Sequence, residues 1–104
     1  MNANAKHTPG PWHFFNSGAG LIRSENGKTI AQLKSVSRQG FRKAADLDEE
    51  VANARLIAAA PDLLWALHAC LADLTDITQA EGGDPSPAMI QARAAIAQAE
   101  GGAQ

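Results

Sequence analysis

The stretch Ala52 to Leu74, ANARLIAAAPDLLWALHACLADL, is the longest apolar-rich run of the chain, and a single proline divides it. Before Pro61, the residues Leu47, Val51, Ala54 and Ala58 recur at helical spacing, with Leu56 and Ile57 widening the stripe. After it, Leu63, Leu67, Leu71, Leu74 and Ile77 do the same, joined by Leu64 and Trp65. Proline has no N–H, and its ring clashes with the preceding turn of a continuous helix. Pro61 therefore reads as the first-turn residue of a new helix, with Asp62 placed to suit the helix dipole. The pattern predicts helices over 47–59 and 61–80, broken at about Ala60. The alternative is one long helix kinked at the proline.

At 104 residues the chain has the length of one domain, expected over residues 9–99 between short tails at 1–8 and 100–104. Much of its 45% apolar content is alanine, and aromatics make up 5%, which predicts a thin core of small side chains. No run reads as long and apolar enough to span a membrane, and MNANAKHTPGPW lacks the apolar region of a signal peptide. Cys70 is the single cysteine and has no internal disulfide partner. A cytoplasmic location with no membrane partner is the resulting expectation. Charge is divided sharply along the chain. Residues 1–45 carry Lys6, Arg23, Lys28, Lys34, Arg38, Arg42 and Lys43 against Glu25 alone, whereas residues 46–104 carry ten acids against Arg55 and Arg93. Either the basic half docks on the acidic half, or one face meets a charged partner.

The N-terminal half reads as three strands, about 12–16, 21–25 and 28–34. Asn26-Gly27 is a strong hairpin signal. A two-residue loop there pairs Glu25 with Lys28, Ser24 with Thr29, Arg23 with Ile30 and Ile22 with Ala31. It also makes Glu25–Lys28 a cross-strand charge pair and puts Ile22, Ala31 and Leu33 on one face, Leu21 and Ile30 on the other. Trp12 reads as a core anchor. Asp46, followed by Glu49, resembles a capping box. Ser86-Pro87 supplies an N-cap and a first-turn proline for a last helix over 87–99. The expected fold is α+β: a three-stranded antiparallel β-meander packed on a helical hairpin, with a third, C-terminal helix.

The sequence holds little that resembles catalytic chemistry. Nucleotide-loop, zincin and nucleophile-elbow motifs are absent. His68 and Cys70 stand two apart on a helix and so point to different sides; His7 and His13 lie in the tail and the first strand. Cys70 reads as a small buried apolar residue. No cofactor, metal or catalytic residue is expected. Two binding candidates remain. Lys34, Arg38, Arg42 and Lys43, around Gly40 and Phe41, could hold phosphate or a nucleic-acid backbone, or could be a solvated loop. Asp73, Asp76 and Glu81 form an acidic helical face suited to a basic protein groove. Arg55 could pair with Asp48 or Asp62, or could touch a partner.

Two patches resemble a group of small proteins encoded by bacteriophages and prophages. They are His7-Thr8-Pro9-Gly10-Pro11-Trp12 and Ala52-Asn53-Ala54-Arg55-Leu56-Ile57-Ala58-Ala59-Ala60-Pro61-Asp62-Leu63-Leu64, with Gly27-Lys28-Thr29-Ile30-Ala31 as a Gly-x-x-Ile-Ala pattern between them. The resemblance covers Lys6 to Leu74 and leaves out the last helix. It implies a phage accessory protein in the host cytoplasm, of a kind that often binds and blocks host factors without catalysis. Three function classes follow as expectations: a binder of a host protein, such as an inhibitor of a CRISPR effector or another defence complex; a binder of nucleotides or nucleic acid through residues 34–43; or an oligomeric structural or virion-associated module.

Overall fold

The computed structural model describes residues 7–15, 20–33 and 44–101. The chain divides into two units, one Thr8–Asp62 and the other taking in His7 and residues from Leu63 on. The first holds a three-stranded antiparallel sheet in the order β1 (Trp12–Phe15), β2 (Leu21–Ser24), β3 (Thr29–Gln32). The described helices are α1 (Ala44–Glu81), which continues from the first unit into the second, and α2 (Pro87–Ala99), which belongs to the second.

Phe14 pairs with Ile22, and Trp12 with Ser24, so these side chains share one face of the sheet with Ala31. That face is the covered one: Ile22 is fully buried and Ser24 nearly so. The indole N–H of Trp12 donates to the Thr8 carbonyl at 3.1 Å, which holds the segment before β1 against it. The Gly10–Pro11 peptide bond within that segment is cis. His13, Arg23 and Phe15 lie on the opposite, exposed face.

The hairpin differs from the two-residue loop expected. Ile22 pairs with Ala31 as that loop requires, but Arg23 pairs with Thr29, and Ile30 is left over as a bulge. The cause lies in the turn. A type I′ loop needs positive φ at both central residues, whereas Asn26 has negative φ and only Gly27 is positive, at 88°. The loop is therefore Glu25-Asn26-Gly27. The Ser24 N–H donates to the Lys28 carbonyl (2.8 Å), Gly27 N–H to the Ser24 carbonyl (2.9 Å), and Lys28 N–H to the Ser24 Oγ (3.1 Å). The bulge at Ile30 then restores the register further along. Glu25 is redirected as well: it meets His13 Nε2 across β1 at 2.8 Å instead of Lys28.

The expected helical hairpin with a break at Ala60 does not form, and the three-helix count is overturned. Among the described residues there are two helices, and α1 runs for 38 residues straight through Pro61. Ending a helix strands four carbonyls on one side and four N–H groups on the other. An interior proline removes only one hydrogen bond, the one to the Ile57 carbonyl, at a total cost of roughly 3 kcal/mol. Ala58-Ala59-Ala60 offers no glycine or asparagine to close a C-cap, and strong helix formers lie on both sides. The helix ends where such a residue exists. Gly82 takes positive φ (73°) and donates to the Gln79 carbonyl, and Gly83 donates to the Thr78 carbonyl, both at 3.1 Å; this is a Schellman closure. Its start also differs, because Ala44 precedes Asp46, which thus lies inside the helix and not at its N-cap.

In the first unit, Ala54 of α1 is fully buried. Pro61 meets the segment before β1 there: a Cβ built on Gly10 would stand 2.8 Å from the Pro61 Cβ and 3.0 Å from its Cγ. In the second unit the Ser86 hydroxyl caps α2 by accepting from Met89 N–H at 3.2 Å, with Pro87 in the first turn. Met89 and Ile96 are buried. Thr78 Oγ1 donates to Met89 Sδ (3.5 Å), and His68 Nε2 meets Glu100 Oε2 (3.0 Å), so α2 runs back along α1. The helical turn-around is therefore at Gly82–Gly83, and α2 is the second helix, not a third.

Joining the two segments has one further consequence. Residues 48–81 are now one helix long and apolar enough to cross a membrane by length and composition, contrary to the expectation from the separated runs, and only 6% of its most apolar window is buried within the chain.

Candidate interaction surface

α1 determines where the candidate residues stand. Its half-buried side chains in the second unit, Leu64, Leu67, His68, Leu71, Thr75 and Thr78, form one stripe, on the side where Thr78 and His68 meet α2. The rest of the helix surface is not polar. Leu56 is 63% exposed, Leu63 52%, Trp65 53%, Leu74 47% and Ile77 54%. A helix that is apolar around most of its girth normally has something covering it. The sequence pattern marked these residues as core because the helical period shows that a face is apolar, not that the chain has enough material to cover it. A second signal was present: Leu56, Leu63, Cys70 and Ile77 recur every seven residues, and all four are exposed.

Asp73 and Asp76 are exposed on α1, and Glu81 is its exposed last residue. Asp76 follows Trp65 by three helical turns on the same side, and Asp73 flanks that side. Glu81 falls on a different side, in line with Leu74 and Leu67. The structure thus keeps Asp73 and Asp76 together, two to three turns along the helix from the exposed Trp65, and separates Glu81 from them. Lys34, Arg38, Arg42 and Lys43 lie outside the described residues. Arg55 is exposed and, among the described residues, makes no ion pair with Asp48 or Asp62. Cys70 is exposed, which overturns its reading as a buried apolar residue. His68 and His13 are each engaged by a carboxylate. No group of three or more His, Cys, Asp or Glu among the described residues could hold a metal ion.

The described surface is thus that of a small α+β chain with an extended helix rich in exposed apolar and acidic side chains. Comparison with known families is more specific. The model for Salmonella phage P22 protein Y8K6 matches residues 1–103, and the chain belongs to that family of phage proteins. The match takes in α2, which the two-patch resemblance had left out. No curated protein and no solved structure matches the chain.

Proposed function

We propose that this chain is a non-catalytic phage accessory protein that works by binding a host protein, with α1 as its docking element. The observation that carries the reading is Trp65, half exposed on a helix that carries Asp76 on the same side three turns further on, with Asp73 flanking that side. A tryptophan on the surface is costly to leave uncovered and is among the residues most enriched at binding hot spots. Carboxylates further along the same helix favour a basic groove, of the kind that holds nucleic acid in a defence complex such as a CRISPR effector. Membership of a phage protein family is consistent with a host target.

The test is affinity capture from host lysate with the native chain, Trp65→Ala, and Asp73→Asn/Asp76→Asn. A partner retained by the native chain should be lost with Trp65→Ala, a weakening of about thirtyfold or more for a hot-spot residue. The acid-to-amide variant should bind more weakly and with a flatter salt dependence. Equal capture by all three chains at every salt concentration would sink the reading.

A further inference from the structure

The face of the sheet turned away from Ile22 and Ser24 has no part in the core. Pairing of β1 with β2 sets His13 opposite Arg23 and Phe15 opposite Leu21. β3 completes the two rows, with Thr29 opposite Arg23 and Gln32 opposite Leu21. His13, Phe15, Arg23, Thr29 and Gln32 are exposed, and Leu21 is half-buried. Both rows belong to the first unit, and backbone pairing fixes their register. One open surface therefore carries a polar, cationic row beside a row led by an aromatic ring.

The chemistry of the two rows selects an occupant. Phe15 is 49% exposed on an edge strand, and an aromatic ring held there is a platform on which a base can stack. Arg23 stands diagonally from it, about 7 Å away, within the span of its long side chain. Arg23 and Lys28 make no ion pair among the described residues. Glu25 is the only acid in the sequence from His7 to Leu33, and His13 engages it at 2.8 Å. Cationic charge on this side of the sheet is thus left uncompensated, which suits a phosphate. Thr29 and Gln32 add hydroxyl and amide groups that can donate to or accept from a base edge. The centre of a protein interface is depleted in charge, whereas here Phe15 is the one exposed apolar side chain and an arginine stands next to it. We infer that this face binds single-stranded nucleic acid, with a base stacked on Phe15 and an adjoining phosphate held by Arg23.

A duplex is a poorer occupant, because its base faces are covered within the stack. The overall charge of −2 does not oppose the binding, since residues 1–45 hold seven Lys and Arg against one acid. RNA and DNA present the same base and phosphate chemistry to these side chains, so the experiment includes both.

Fluorescence anisotropy of labelled single-stranded RNA, single-stranded DNA and a duplex of the same sequence, titrated with the full chain at low and moderate salt, tests the inference. At least one single strand should bind more tightly than the duplex. Phe15→Leu keeps apolar bulk but removes the ring, and should weaken binding about fivefold or more; Phe15→Trp should hold or improve it. Arg23→Gln should weaken binding and flatten the slope of log K against log salt by about 0.7, the share of one phosphate on a single strand. Both side chains are exposed, so each variant should keep the native circular dichroism and Tm. No binding of either single strand at low salt overturns the proposal, as does a duplex bound equally tightly. Binding unchanged by Phe15→Leu, or unchanged by Arg23→Gln, overturns it as well. Phe15 and Arg23 lie on the sheet, so the outcome is independent of the test of Trp65, Asp73 and Asp76 on α1.

Discussion

Pro61→Ala should stabilise this protein, and the size of the effect follows from where the proline sits. Pro61 lies seventeen residues into a 38-residue helix, so it withholds a hydrogen bond from the Ile57 carbonyl and crowds the turn before it. Alanine is favoured over proline at an interior helical position by about 3 kcal/mol. Two terms oppose the gain. Pro61 is half-buried against the segment before β1, and losing two ring methylenes there costs about 1 kcal/mol at about 0.8 kcal/mol per fully buried CH₂. Alanine also leaves the unfolded chain freer, by about 0.4–1 kcal/mol. The net is a gain of roughly 1–1.5 kcal/mol, or about 4–12 °C in Tm for a domain of this size. Thermal unfolding followed at 222 nm measures it directly. A proline that instead opened a new helix would sit at a position it favours, and alanine there would be neutral or destabilising. An unchanged or lowered Tm would therefore refute the continuous helix.

Gly10→Ala should destabilise by about 1–3 kcal/mol, the usual cost of overpacking, because the added Cβ would stand 2.8 Å from the rigid Pro61 ring; urea denaturation measures it, and a change within 0.5 kcal/mol would show that the two do not meet. In a double-mutant cycle with Pro61→Gly the two changes should be strongly non-additive. Ser86→Ala removes the acceptor for Met89 N–H and should cost about 1 kcal/mol. Hydrogen exchange in the first turn of α2 should rise with it, while the sheet amides keep their protection.

Local chemistry was the legible part of this fold. Alternation around Asn26-Gly27 was enough for a three-stranded antiparallel sheet, because strand pairing there depends on residues a few positions apart. The loop type was not legible. Asn-Gly suits a type I′ turn, but the Ser24 hydroxyl takes the Lys28 N–H and the loop lengthens by one residue, a competition between side chain and backbone that pair preferences do not contain. Pro61 misled for a related reason. A helix breaker is a local signal, but breaking also requires a cap, and the cap lies twenty-one residues on, at Gly82. The acidic candidates were half legible. Their exposure follows from charge, and Asp73 and Asp76 already share the predicted 61–80 helix, but Glu81 lay one residue past its expected end and is placed on another side only by a helix that runs on to the Gly82 closure.

That continuity makes α1 more than scaffold. Two helices separated at Ala60 could have folded back on each other, each covering the other's apolar stripe. A helix that passes through Pro61 cannot do so, and its only described helical neighbour, α2, is thirteen residues long. Thirteen residues reach along about 20 Å of helix, roughly a third of α1. Leu74 and Ile77 lie level with α2 but off the side that meets it, and they, like Leu56 and Leu63, are left exposed. Replacing these side chains tests whether this exposure is incidental. If those side chains serve no partner, replacing all four with glutamine should improve solubility and leave phage fitness unchanged. If the exposed side chains meet a partner, the same variant should fold and lose function.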